Sequence, residues 1–293
     1  MIIMATGNGD MPISWLYNYV IGRFENTNDS FIDLCNKLIS EKKIKPGLKL
    51  DDSFNAGITP DGVMIIGRPL MSSLWCMCYY GFVTYEKAVA IHQENIKNGL
   101  IDNLDRGAIE IAEKCRLYAL SLKSGLFDWP NELPKPEDHE RNEFVNLTNQ
   151  LFLYAMNYIM CHELAHRELG HSIGLTGDKS RQQEYDADER SFELLLQGRD
   201  GNNNMTLELG ILLGLCSMLM LVPNENDGIT HPSSINRLKA FLQKLDPIPE
   251  SQLWGMACLF LGIWDNVFKK NYDFSDSVDT YKDMFYNVVN QIK

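Results

Sequence analysis

The sequence predicts an α+β fold that is mostly α-helical: an N-terminal β-hairpin with helices, followed by a helical core. Three observations carry this. One turn segment, Thr59-Pro60-Asp61-Gly62, is flanked by short β-prone runs, and a proline-rich break interrupts the chain near its middle. Beyond that break apolar residues recur only at helical spacing.

Taken in order, Phe31, Leu34, Cys35, Leu38 and Ile39 mark a helix from Phe31 to Lys43, with Asn28-Asp29-Ser30 as capping candidates. "LKLDDSFNAGI" and "VMIIG" then flank the turn and read as a hairpin. Helical patterning resumes near Leu70 and, after Asn103, runs through "IEIAEKCRLYALSLK". Pro130, Pro134 and Pro136 stand too close together for a helix, which predicts an extended connector. The expected organisation is an N-terminal α/β region over 1–125, a connector over 126–141 and a helical core over 142–293, together one compact unit.

Within the core, Phe144, Leu147, Leu151, Tyr154 and Tyr158 lead a helix into "CHELAHRELGH". Later helices are expected over Glu184–Gln197, Thr206–Leu221, Ser233–Leu245, Gln252–Phe268 and Asp276–Val289, with "QGRDGNNN" as the loop between the first two. The apolar runs Leu209–Val222 and Leu253–Trp264 fall short of the roughly 20 residues that cross a bilayer, so both read as core helices and no membrane span is expected.

Composition narrows the function. The chain carries 39 acidic and 27 basic side chains for a formal charge of −12, which repels phosphate backbones and disfavours direct nucleic-acid binding. Its densest basic run, Glu41-Lys42-Lys43-Ile44-Lys45, reads as a solvated helix end. Seven cysteines sit mostly among apolar neighbours, as buried thiols do, and the first fifteen residues lack the pattern of a signal peptide. A cytoplasmic location fits.

The chemistry concentrates in the histidine cluster. His162 and His166 are four residues apart on a helix, so both imidazoles leave one face and can share a metal. Glu163 lies about 100° round from His162, able to reach a metal-bound water without ligating the metal. This is the H-E-x-x-H arrangement of two zinc ligands and a general base.

Zinc at such a site needs a third protein ligand. The register Leu169-Gly170-His171-Ser172 misses the metzincin pattern by one residue, and on a continuous helix His171 would face about 140° away from His166. Downstream, Glu184 precedes a helical stretch and Asp188 follows four residues later on the same face. Glu184 can complete the zinc site, and Asp188 can accept the second N–H of a ligand histidine. The plainer reading of that pair is a charged helix start.

His231 and Arg237 lie on one loop–helix junction, "GITHPSSINRL", suited to donate to the oxygen that gains charge during peptide hydrolysis. The plainer alternative is a surface histidine and an arginine paired with an acid. His92 and His139 read as surface residues.

H-E-L-A-H, E-Y-D-A-D and T-H-P-S-S-I-N-R-L, in that order, resemble the motifs of the glutamate-zincin peptidases. Within that group the chain resembles the Lit-type phage-exclusion peptidases, weakly before Leu126 and strongly from Trp129 to Arg237. The resemblance implies a cytoplasmic zinc protease that stays quiet until a phage-derived polypeptide appears and then cleaves elongation factor Tu. Residue by residue it implies His162, His166 and Glu184 as zinc ligands and Glu163 as the catalytic base. It implies His231 near the reacting carbonyl, with Arg237 and Asp188 in supporting places; His171 has a counterpart with no assigned role. Two other functions fit the residues: a regulatory protease cleaving a transcriptional repressor, and a non-catalytic module in which zinc only ties helices together.

Overall fold

A computed structural model describes residues 11–91, 104–172, 174–197, 204–223, 226–274 and 279–292. His92, most of "QGRDGNNN" and the expected helix start at Asp276 lie outside the described residues.

The chain enters through a 3₁₀ turn, Pro12–Leu16, and helices α1 (Tyr17–Glu25) and α2 (Asp29–Ser40). Asn28 caps α2 by accepting from the Phe31 N–H at 2.9 Å. Strands β1 (Leu48–Asp51), β2 (Ala56–Ile58) and β3 (Met64–Gly67) follow, in spatial order β1-β3-β2. β2 and β3 form the expected antiparallel hairpin, closed by Gly62 N–H to Thr59 O at 2.8 Å with Gly62 at φ +90°.

The first arm differs from expectation. "LKLDDSFNAGI" is two strands, and β1 pairs with β3 in parallel. Asp51 explains the break: its Oδ1 accepts from the Ser53 N–H at 2.9 Å and from Ser53 Oγ at 2.7 Å, a local turn that competes with continued pairing.

The rest is helical. α3 (Arg68–Thr84) is buried nearly all round and continues into a π-helical stretch, Tyr85–Ala90. α4 (Arg106–Ser121) packs on α3. The proline segment is not wholly extended: Pro136–Glu140 makes a 3₁₀ turn, because a proline at the first helical position has no N–H to lose. That turn is held on the core, since Asn149 donates to Pro136 O at 2.9 Å while its Oδ1 accepts from the Trp75 indole at 2.7 Å.

α5 (Glu143–Glu168) is capped by Asn142 and carries the histidines at its C-terminal end. α6 (Asp178–Leu196), α7 (Asn204–Leu219), α8 (Ser234–Leu245), α9 (Gln252–Phe268) and α10 (Tyr281–Val289) complete the fold. α5 packs against α3, α6 and α7, and β2 lies along it. The two apolar runs fall in α7 and α9, both largely buried. Among the described residues no helix is long and apolar enough to cross a membrane.

Candidate active site

The site forms where α5, α6 and the loop before α8 meet. α5 turns His162 inward, buried, and leaves Glu163 and His166 half-buried one step nearer the opening. α6 begins at Asp178, not at Glu184 as expected, because Gly177 at φ +72° turns the chain seven residues before Glu184 of the E-Y-D-A-D motif. Glu184 and Asp188 are therefore interior helix residues, one turn apart on the face that packs on α5, and both are buried.

Two nitrogens and a carboxylate converge. His162 Nε2 lies 3.1 Å from His166 Nε2, 3.4 Å separates His162 Nε2 from Glu184 Oε2, and 3.5 Å separates His166 Nε2 from Glu184 Oε1. Among the described residues these three are the one group of histidines, cysteines and acids placed to hold a metal ion. Cys161, the nearest cysteine in sequence, is buried with its thiol toward Asn157 Oδ1 at 3.7 Å.

Behind His162 stands a buried charged network. Asp188 Oδ1 is 2.8 Å from His162 Nδ1. Arg237 donates to both oxygens of Asp188 at 2.7 Å, through Nε and Nη2, and Nη2 also donates to Tyr158 Oη at 3.1 Å. Tyr158 in turn donates to Asp188 Oδ1 at 2.7 Å. This corrects the expected place of Arg237: its guanidinium is committed to Asp188 and Tyr158, buried beneath the site and not aimed at a substrate oxygen. Sequence reasoning missed Tyr158, although its position one helical turn before His162 was a usable signal.

His231 sits at the mouth, its side chain 64% exposed, with Nδ1 2.9 Å from Glu184 Oε2. Its loop is fastened to the start of α6. Gly177 N–H donates to Ile229 O at 2.7 Å, Ser180 Oγ to Thr230 O at 2.9 Å, and Arg181 Nη1 to Gly228 O at 3.0 Å. Opposite, β2 runs past Glu163, close enough that a Cβ on Gly57 would stand 3.9 Å from Glu163 Oε2. Arg167 donates to the carbonyl of Thr59 and ties the hairpin to α5. A cleft of about 280 Å³ opens between these elements, lined by Ile58, Glu163, His166, His171, Glu184 and Thr230 among others.

His171 does not face away. The helical extrapolation fails because α5 ends at Glu168 and Gly170, at φ +69°, reverses the chain. His171 N–H then donates to His166 O at 3.0 Å, and its ring returns with Nδ1 2.8 Å from His166 Nδ1. It is not one of the three converging groups. His139, read as a surface residue, is part-exposed with its ring 4.8 Å from that of Trp15.

The electrostatics separate the groups. Burial alone would lower His162, but the adjoining Asp188 and Glu184 carboxylates raise it to about 9. Burial and the neighbouring His162 push His166 down to about 4, so it is a neutral imidazole at neutral pH. Burial would raise the carboxyls of Glu184 and Asp188, yet both are held well below the usual range, Glu184 by His162 and His231 and Asp188 by Arg237 and His162. Glu163 alone among these acids is raised, by its burial. The carboxylates that favour a proton on His162 equally favour a cation between the two Nε2 atoms.

Comparison with known proteins agrees with this chemistry. The family model Peptidase U49 matches residues 66–257, a stretch running from the end of β3 through α5, α6 and α8 into α9. No curated protein and no solved structure compared with the chain gives a match. The matched stretch exceeds half of the chain and contains every residue of the converging group, so this protein belongs to the Peptidase U49 family, a family of proteases.

Proposed function

We propose that this protein is a zinc-dependent endopeptidase of the phage-exclusion, Lit-like type, with His162, His166 and Glu184 as the zinc ligands. The observation that carries the reading is the convergence of two imidazole nitrogens and one carboxylate at 3.1–3.5 Å from one another. A tetrahedron whose centre lies about 2.05 Å from its corners, the zinc–nitrogen and zinc–oxygen distance, has edges of about 3.3 Å. The two nitrogens, 3.1 Å apart, span close to such an edge, and each lies 3.4–3.5 Å from one of the two Glu184 oxygens, which puts the carboxylate on the third side of the same point. A structural zinc site is usually closed by a fourth protein ligand and rich in cysteine. Here His166 and Glu184 line the cleft together with Glu163, and no cysteine joins the group, which favours catalysis over a stabilising module.

Zinc bound there would supply a Lewis acid that polarises a water and the substrate carbonyl. Glu163, half-buried beside the hairpin, takes the proton of the attacking water and passes it to the leaving amine; its raised pKa suits a group that must both accept and return a proton. Asp188 holds His162 through Nδ1, which leaves the Nε2 lone pair for the metal. Arg237 and Tyr158 hold Asp188. His231, exposed at the mouth, is the group placed to donate to the carbonyl oxygen as it becomes negative, and its contact with Glu184 sets the ring's orientation.

The substrate is a cytoplasmic protein, elongation factor Tu by resemblance, presented by a phage-derived polypeptide. The test is incubation of the zinc-loaded protein with elongation factor Tu, with and without extract from phage-infected cells. A discrete fragment is expected with extract, and none with Glu163→Gln, which keeps the shape but cannot accept the proton. Equal cleavage by wild type and Glu163→Gln would remove Glu163 from the chemistry. Cleavage of a repressor, with elongation factor Tu left intact, would favour the regulatory-protease reading.

A further inference from the structure

We infer that His171 is a positioning residue for the metal centre: its ring nitrogen accepts the Nδ1–H of His166 and so locks His166 in the tautomer whose Nε2 lone pair faces the metal. The inference rests on the zinc-site reading and assigns a role to a residue outside the ligand set. Its basis is the close approach of the two Nδ1 atoms, 2.8 Å apart. Only one proton can lie between them. His166 must offer a lone pair at Nε2, which converges with His162 and Glu184, so the proton on its ring belongs on Nδ1. His171 Nδ1 is then the acceptor, and its own N–H is on Nε2.

The backbone is built to hold this contact. The left-handed turn at Gly170 and the His171 N–H to His166 O bond, 3.0 Å, bring the ring back over the end of α5. On the other side, the Gln183 amide lies within 3.0 and 3.1 Å of the backbone N and O of Ser172; with its oxygen turned to the N–H and its nitrogen to the carbonyl it ties the residue after His171 to α6 next to Glu184. The segment carrying His171 is thereby tied to both helices that supply ligands. The two histidines follow one plan, each with a neighbour standing 2.8 Å from its far nitrogen: a carboxylate for His162, an imidazole for His166.

The test is zinc affinity, measured by competition with a chromophoric chelator on full-length protein, for wild type and for His171→Ala, His171→Phe and His171→Asn. Phenylalanine keeps a ring without an acceptor, whereas asparagine places an oxygen close to where Nδ1 stood. Alanine and phenylalanine should each weaken zinc binding roughly ten- to a hundredfold, and asparagine should restore most of it. Melting of the metal-free proteins should be the same for all four, which separates a tautomer effect from loss of packing. Wild-type affinity in the alanine and phenylalanine variants would overturn the inference, as would rescue by phenylalanine and not by asparagine. Failure of the wild type itself to bind zinc would instead overturn the reading of the site on which the inference rests.

Discussion

His162 and His166 leave one helix toward one point, yet the regions behind them are opposites. Behind His162 lies a dry network in which Asp188, Arg237 and Tyr158 satisfy one another, joining α5, α6 and α8. Around His166 the site opens to the cleft, and its partners are His171 on a turn and, across Glu184, the exposed His231. The difference teaches a division of labour. Charges on the buried side cannot exchange water for a partner, so they set the shape of the site. Groups on the open side contribute less to folding and more to the chemistry.

The largest effect on stability is expected on the buried side. Arg237→Ala leaves Asp188 as a buried carboxylate without its counter-charge and should destabilise the fold by about 3–5 kcal/mol, read from the midpoint of denaturant unfolding. A loss under about 1 kcal/mol would mean that water reaches Asp188 and that the two regions differ less than their geometry implies.

On the open side the effect should move from stability to rate. His231→Ala should lower kcat by about a hundred- to a thousandfold, the usual loss for one oxyanion donor, equivalent to about 2.7–4 kcal/mol in the barrier. Zinc content and melting temperature should stay at wild-type values. A drop in zinc content alongside the rate would show that His231 acts on Glu184 and not on the substrate.

Zinc held as proposed would join the two sides, because the three candidate ligands come from both α5 and α6. Removing it with a chelator should cost about 2.7 kcal/mol when the comparison is made at free zinc a hundred times its Kd. An unchanged melting curve, with metal loss verified, would place the site outside the cooperative fold.

How much of this could be read in the sequence depended on how local each relationship is. His162, Glu163 and His166 were legible because one helical turn fixes their relative directions. Glu184 and Asp188 were legible as a pair for the same reason, although the helix carrying them starts at Asp178. Arg237 stood out as a candidate, but its partners Asp188 and Tyr158 lie on other helices and are brought to it by the packing of the chain, which no spacing encodes. His171 was misdirected because the helix was extrapolated through Gly170, whose left-handed turn reverses the chain. The hairpin turn was local and readable, whereas the parallel pairing of β1 joins segments that only the folded sheet brings together.

The central claim, that His162, His166 and Glu184 form one three-ligand zinc site, is tested most directly by zinc stoichiometry after exhaustive dialysis, compared between wild type and Glu184→Ala. One zinc per wild-type chain and essentially none in the variant, with circular dichroism showing that both are folded, is the predicted result. One zinc retained by Glu184→Ala, or none held by the wild type, would contradict it.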